Sequence, residues 1–228
     1  MSKKNTILVT GGAGFVGSNL IDYLLKKTNY HFISIDNYSS GFKKNHLKNK
    51  RIRYIKANTK DIAKTITNPK KIKVVFHFGE FARIYQSFIN MNECIDSNTV
   101  GTNSVFNFCL KNKIKLIYSA TSASLGNKGN DKNLSPYAFT KAKNLELLEN
   151  LKKWFNFKFE VIYFYNVYGP KQISKGKMAT VIGIFEEAYK NKKPLPVVKP
   201  GSQSRRFTHI DDTIEVCYLA WKKNLSRH

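Results

Sequence analysis

An α/β fold built on a doubly wound parallel sheet is what the sequence predicts. Three observations predict it: a glycine-rich turn set between a short apolar run and an amphipathic stretch near the start, further apolar runs of strand length along the chain, and segments of helical periodicity between them. With 228 residues, 42% of them apolar and 13% aromatic, the chain can bury a sizeable core, as one large domain or one and a half.

The first element is the most informative. Thr6-Ile7-Leu8-Val9 reads as a strand, Thr10-Gly11-Gly12-Ala13-Gly14-Phe15-Val16-Gly17 as a turn, and Ser18-Asn19-Leu20-Ile21-Asp22-Tyr23-Leu24-Leu25 as a helix. Backbone N–H groups at a helix start face an anion favourably, and the helix dipole adds to that preference. The G-x-x-G-x-x-G spacing in this setting points to the pyrophosphate of a dinucleotide: Gly11 for the tight turn, Gly14 for close approach of the ligand, Gly17 for close packing of helix on strand. His31-Phe32-Ile33-Ser34-Ile35-Asp36 follows as a second strand, ending in an acid about 20 residues after the turn. A carboxylate there accepts hydrogen bonds from ribose hydroxyls and repels a 2′-phosphate, which favours NAD over NADP.

Asn37-Tyr38-Ser39-Ser40-Gly41 is turn-like. Residues 51–57 alternate enough for a third strand, and Ile72-Lys73-Val74-Val75-Phe76-His77-Phe78 reads as a short buried fourth, with His77 expected to be structural. Residues 85–111 carry a helical pattern, with Phe88, Ile95, Val100, Val105, Phe106 and Leu110 available for an apolar face. Lys115-Leu116-Ile117-Tyr118-Ser119 is a fifth strand, running into the small residues 120–126. Open α/β sheets bind ligands at such strand ends.

The 39 Lys and Arg against 15 Asp and Glu give a formal charge of +24, which suits an anionic partner. Lysines lie almost everywhere, so a solvated basic surface is expected. The densest run, with Lys43, Lys44, Lys48, Lys50, Arg51 and Arg53, has no nucleic-acid recognition motif and no set of interleaved aromatics. Cys94, Cys109 and Cys217 form neither a C-x-x-C pair nor a metal-ligand spacing, which points to a reducing cytoplasm. The apolar run after the basic start is too short for a signal segment, and no stretch has the length of a membrane span.

In Ser135-Pro136-Tyr137-Ala138-Phe139-Thr140-Lys141, Ser135 suits a helix N-cap and Pro136 its first position, which puts Tyr137 and Lys141 on one face. An ammonium beside a phenol lowers the phenol's pKa, so Tyr137 is expected to be a usable base near neutral pH.

These residues resemble the extended short-chain dehydrogenase/reductase family, in its NAD-dependent nucleotide-sugar epimerase/dehydratase branch. The resemblance rests on the glycine turn, Asp36 to Gly41, Phe76-His77-Phe78-Gly79, Asn98-Thr99-Val100-Gly101-Thr102-Asn103, Tyr137-x-x-x-Lys141, Asn166-Val167-Tyr168-Gly169-Pro170 and Arg205-Arg206-Phe207-Thr208-His209-Ile210-Asp211-Asp212. Phe78-Gly79-Glu80-Phe81-Ala82-Arg83 further resembles bacterial surface-sugar enzymes, such as the nucleotide-N-acetylglucosamine 4,6-dehydratase of the legionaminic acid pathway.

The resemblance implies a Rossmann-like doubly wound parallel sheet at residues 1–170. It also implies an incomplete C-terminal substrate-binding lobe over residues 171–228, the chain being expected to be truncated beyond Asp211-Asp212. Thr121, Tyr137 and Lys141 would be the catalytic triad of a C4 oxidation, Tyr137 taking the proton of the sugar 4-hydroxyl. Gly11, Gly14, Phe15, Val16, Gly17, Asp36, Asn37, Asn58, Thr59, Phe78, Tyr137 and Lys141 would hold NAD. Asn166, Gln203 and Arg205 would hold the nucleotide sugar. Dehydratases of the common type carry Asp-Glu after the catalytic Thr; here Ser122-Ala123 stand there, which favours epimerisation unless another acid acts, and Glu80 is the carboxylate nominated, with pairing to Arg83 or a backbone N–H as its ordinary alternative. The resemblance also implies a cytoplasmic homodimer through residues 85–111 and 137–155, acting in surface polysaccharide synthesis without nucleic-acid or membrane partners. A non-catalytic NAD-binding protein is the alternative from another class.

Overall fold

The computed structural model describes residues 5–125, 130 and 132–223, so residues 1–4, 126–129, 131 and 224–228 lie outside them. Strand β1 (Thr6–Thr10) runs through the glycine turn into α1 (Phe15–Lys27), followed by β2 (His31–Asp36), β3 (Ile52–Lys56), the short α2 (Ile62–Thr65) and β4 (Ile72–His77). Next come α3 (Ile84–Ile89), α4 (Met91–Ile95), a π-helical stretch over Asp96–Gly101, α5 (Thr102–Lys111), β5 (Lys115–Thr121), α6 (Pro136–Phe155) and β6 (Phe159–Phe164). The described chain ends with β7 (Val167–Tyr168), α7 (Val181–Lys190), β8 (Thr208–His209) and α8 (Ile210–Lys222).

Six strands form one parallel sheet in the order β3-β2-β1-β4-β5-β6, with β7 and β8 as a separate parallel pair. The sheet reverses direction between β1 and β4. At such a switch point the crossovers on either side lead away to opposite faces and leave a crevice at the strand ends. Successive strand residues alternate between two cores, as pleating requires. Leu8, Val75, Leu116 and Tyr118 pack with Phe106 and Leu148 on one face, while Ile7, Val9, Phe76 and Ile117 pack with Leu20, Leu24, Ile210 and Trp221 on the other. Helix α8 thereby returns to the main sheet beside α1. Arg51 from the basic run donates to Leu25 O and Thr28 O, both at 2.6 Å, so one of those cations satisfies carbonyls at the end of α1.

The long helix over residues 85–111 is corrected. The stretch breaks at Asn90, which is non-helical at φ −115°, ψ 51°, and widens into the π-helix before α5. Only part of the proposed apolar face is buried: Val105 and Phe106 are fully enclosed, whereas Phe88, Ile95 and Val100 are exposed. A kinked segment cannot keep one stripe on the sheet along its whole length.

Candidate functional site: a cleft at the sheet switch point

Gly11 turns the chain with φ +71°, and a Cβ there would stand 2.7 Å from the carbonyl of Phe78. Its N–H donates to Ile35 O at 2.8 Å, tying the turn to β2. Gly17 packs so close that a Cβ would fall 2.3 Å from Gly11 O, the tight helix-to-turn approach expected of it. Gly14 caps α1 without a side chain, so no side-chain oxygen accepts from the first-turn N–H groups. Phe15 and Val16 start the helix, half-buried against the second core.

A cleft of about 160 Å³ opens beside this turn, lined by Gly11, Gly14, Asp36, Asn37, Asn58, Thr59, Phe78, Gly79 and Glu80, with Gly101 at its far wall. Asp36 is nearly enclosed at the cleft, and its two carboxylate oxygens already accept from Ala13 N at 2.9 Å and Tyr38 N at 2.8 Å. It therefore fixes the turn's shape as well as offering lone pairs to the cleft, a structural duty the sequence did not disclose. Asn37 donates to Asn58 Oδ1 at 3.0 Å, which links the two asparagines of this wall.

Behind the cleft runs a buried polar chain. Thr10 Oγ1 contacts His77 Nδ1 at 2.6 Å and accepts from the N–H groups of Phe78 and Gly79, and His77 Nε2 lies 3.0 Å from Thr102 Oγ1. Burial drives the His77 pKa down to about 4, so the ring is neutral and structural, as expected of it. Thr10 and Thr102 are the partners that sequence reasoning missed. A threonine at a strand end and another in a helix give no hint of meeting until the topology places β1 and α5 around β4.

Thr121 is the last residue of β5, two residues beyond the predicted end of that strand, and its hydroxyl accepts from Ala123 N at 3.2 Å. Ser135 caps α6 by accepting from Ala138 N at 3.0 Å, with Pro136 in the first turn, as predicted. Tyr137 is thus presented at the helix start, where its N–H donates to Ser87 Oγ at 3.3 Å. Burial raises its phenol to about 12, partly offset by hydrogen bonding with Thr121 and by the nearby Arg83.

The expectation that Lys141 makes Tyr137 a base near neutral pH is therefore corrected. The Lys141 ammonium is ion-paired with Glu80 Oε2 and donates to Ser119 O, and its own pKa is lowered by burial against the opposing pull of Glu80. Glu80 is also corrected as a free acid for the sugar, because its carboxylate is enclosed by Lys141, Thr102, Tyr118 and Asn144. Nor does it pair with Arg83, whose guanidinium donates to Met178 O at 2.6 and 2.8 Å.

Asn166, Gln203 and Arg205 are not among the residues lining the cleft. Asn166, at φ +38°, donates to Arg206 O at 2.8 Å and so holds the segment before β8. Gln203 and Arg205 are exposed there, with Arg205 bonded to its neighbour Ser204 O.

A profile described as the NAD dependent epimerase/dehydratase family matches residues 7–228. A putative UDP-glucose 4-epimerase of Methanocaldococcus jannaschii is 31% identical over 96% of this chain and 75% of its own length. Among solved structures, UDP-glucuronic acid 4-epimerase of Bacillus cereus, in complex with UDP-glucuronic acid and NAD, is 29% identical with a TM-score of 0.83 over 97% of this chain and 75% of that one. UDP-glucose 4-epimerase of Thermotoga maritima with UDP-glucose is 26% identical with a TM-score of 0.84, covering 94% and 72% of the two chains. The glycine turn, the cleft and the Tyr137 helix all fall within the matched residues, and the chain belongs to the NAD dependent epimerase/dehydratase family, whose cofactor is NAD and whose members are enzymes of nucleotide sugars.

Proposed function

We propose that this chain is a 4-epimerase of a UDP-linked sugar. The observation that carries the reading is Tyr137, in the first turn of α6, hydrogen-bonded with Thr121 at the end of β5, which is followed by Ser122 and Ala123 with no ionisable group. The residues fit NAD: an uncapped helix start faces an anion favourably, and the cleft wall offers the Asp36 carboxylate for ribose hydroxyls. Gly11, Gly14, Phe15, Val16 and Gly17 would surround the pyrophosphate, Asp36 and Asn37 the adenosine ribose, Asn58 and Thr59 the adenine, and Phe78 with Tyr137 and Lys141 the nicotinamide half. NAD supplies reversible hydride acceptance from sugar C4.

Tyr137, in the phenolate form that its raised pKa makes scarce at neutral pH, takes the proton of the 4-hydroxyl, and Thr121 hydrogen-bonds the same oxygen so that charge building on it is met by a fixed donor. Loss of water from C6 needs an acid and a base, and Ser122 and Ala123 provide neither; the 4-keto sugar is left to turn over and be reduced on its other face. Asn166, Gln203 and Arg205 serve the nucleotide sugar, Arg205 by pairing with its diphosphate. Residues 1–170 form the NAD domain and residues 171–228 belong to the substrate side, with α8 returning to the first. The reading extends to surface polysaccharide synthesis in the cytoplasm by a homodimer, for which α3 and α6 bear exposed Tyr85, Phe88, Phe139 and Trp154.

Incubating the protein with UDP- and GDP-N-acetylglucosamine and NAD, then analysing the sugars by mass spectrometry and NMR, tests the reading. Unchanged mass with inverted configuration at C4 is expected, for the UDP sugar. Loss of water would replace the epimerase with a dehydratase, and bound NAD with no product would favour the non-catalytic alternative.

A further inference from the structure

Glu80 sits just beyond β4, and its side chain is 2% exposed. A carboxylate so enclosed is costly unless every lone pair is matched. Here it is matched: Oε2 is paired with the Lys141 ammonium, while Oε1 accepts from Thr102 Oγ1 at 2.9 Å, Tyr118 OH at 3.0 Å and Asn144 Nδ2 at 3.3 Å. Lys141, at 4% exposed, has three protons to donate. They meet Glu80, the Ser119 carbonyl and, at 3.4 Å, the Tyr118 hydroxyl, and the ammonium lies 4.6 Å from the centre of the Tyr118 ring. All three protons are thus engaged on the sheet side of α6, and a nicotinamide ribose hydroxyl held by Lys141 would take the place of one of these partners.

We propose that Glu80 is a positioning residue for the reacting pair: its carboxylate holds the Lys141 ammonium inward against β5, and so sets how much of that positive charge reaches Tyr137. The inference rests on reading Tyr137 and Lys141 as the reacting pair. An ion pair in a low-dielectric interior presents little net charge to a third group, so the lysine that would support a phenolate is neutralised by its neighbour. The groups facing this cluster are consistent with that balance. The Glu80 anion and Cys94 oppose ionisation of Tyr137, Arg83 and the Thr121 hydrogen bond favour it, His77 is neutral, and burial with the Glu80 anion keeps Tyr118 protonated.

Glu80→Gln keeps an oxygen for the donors around it and removes the charge. In NMR of isotope-labelled tyrosine, with the Tyr137 signal assigned by its loss in Y137F, E80Q should show about tenfold more phenolate than the wild type at a fixed pH well below both midpoints. A phenolate fraction unchanged from the wild type overturns the proposal, since a merely structural role for Glu80 would leave Tyr137 unmoved. The wild-type chain provides a second test should E80Q not fold. The Lys141 ammonium protons, assigned with K141M, should exchange slowly with solvent because they are anchored; rapid exchange like that of surface lysines overturns it. Neither measurement uses a substrate, so a chain without epimerase turnover would contradict the proposed function and leave the Glu80 result separately readable.

Discussion

At the scale of single residues, the site is governed by burial more than by the sequence spacing that advertises it. Tyr137 and Lys141 stand one turn apart on α6, yet the phenol is raised to about 12 while the ammonium faces Glu80. Spacing on a helix fixes which face a residue shares; the counter-ion comes from the loop after β4 and is decided by topology. His77 shows the same influence of burial in a form that can be titrated. Its folded pKa of about 4 lies below the ordinary 6.5 because desolvation penalises the imidazolium. The unfolded chain therefore binds a proton in that interval and the folded chain does not, so stability is full above pH 6.5, falls as the pH drops and is lost through the folded value. The group's share of that loss is about 3 kcal/mol. Urea denaturation from pH 7 downwards should show a shallower decline in His77→Gln than in the wild type; parallel declines would mean that the ring is not held neutral.

At the scale of elements, the first five strands and the two functional helix starts were legible because their signals are local, whereas β6, β7 and β8 were not read from the sequence. The glycine turn, Asp36 at the end of β2 and the Ser135-Pro136 cap of α6 each occupy the place their chemistry predicts. The segment from α3 to α5 was not, since a run of apolar residues at helical spacing says nothing of a break at Asn90 or of a π-helix. The partners of Glu80 were equally hidden, because Thr102, Tyr118, Asn144 and Lys141 come from α5, β5 and α6. The α6 cap allows a direct check of element on site. Ser135→Ala leaves the Ala138 N–H without its acceptor and should cost about 1 kcal/mol of stability. Because Tyr137 lies in the first turn, turnover should fall as well; an S135A protein with unchanged denaturation midpoint would show that Pro136 alone fixes this helix start.

At the scale of the whole molecule, the strand order β3-β2-β1-β4-β5-β6 is what brings a turn near residue 11, an acid at 36 and a helix at 136 to the C-terminal ends of the strands. The formal charge of +24, spread over the whole chain, favours an anionic partner such as a diphosphate, and part of it serves the fold, as Arg51 does at the end of α1. The surface also carries apolar side chains that a lone copy gains nothing by exposing. Tyr85, Phe88, Ile89 and Met91 are more than half exposed on α3 and the start of α4, and α6, against which both helices pack, adds Phe139, Trp154 and Phe155. A clustered apolar patch of this kind marks an interaction surface, and a two-fold pairing would cover it on both copies at once. Phe88 is 58% exposed and does not line the cleft, so a charge placed there opposes association and leaves the glycine turn intact. Sedimentation velocity should give a dimer for the wild type and a monomer for Phe88→Glu, with NAD binding retained in the monomer. A monomeric wild type at micromolar concentration, or an F88E dimer, would place the pairing surface elsewhere or dispense with it.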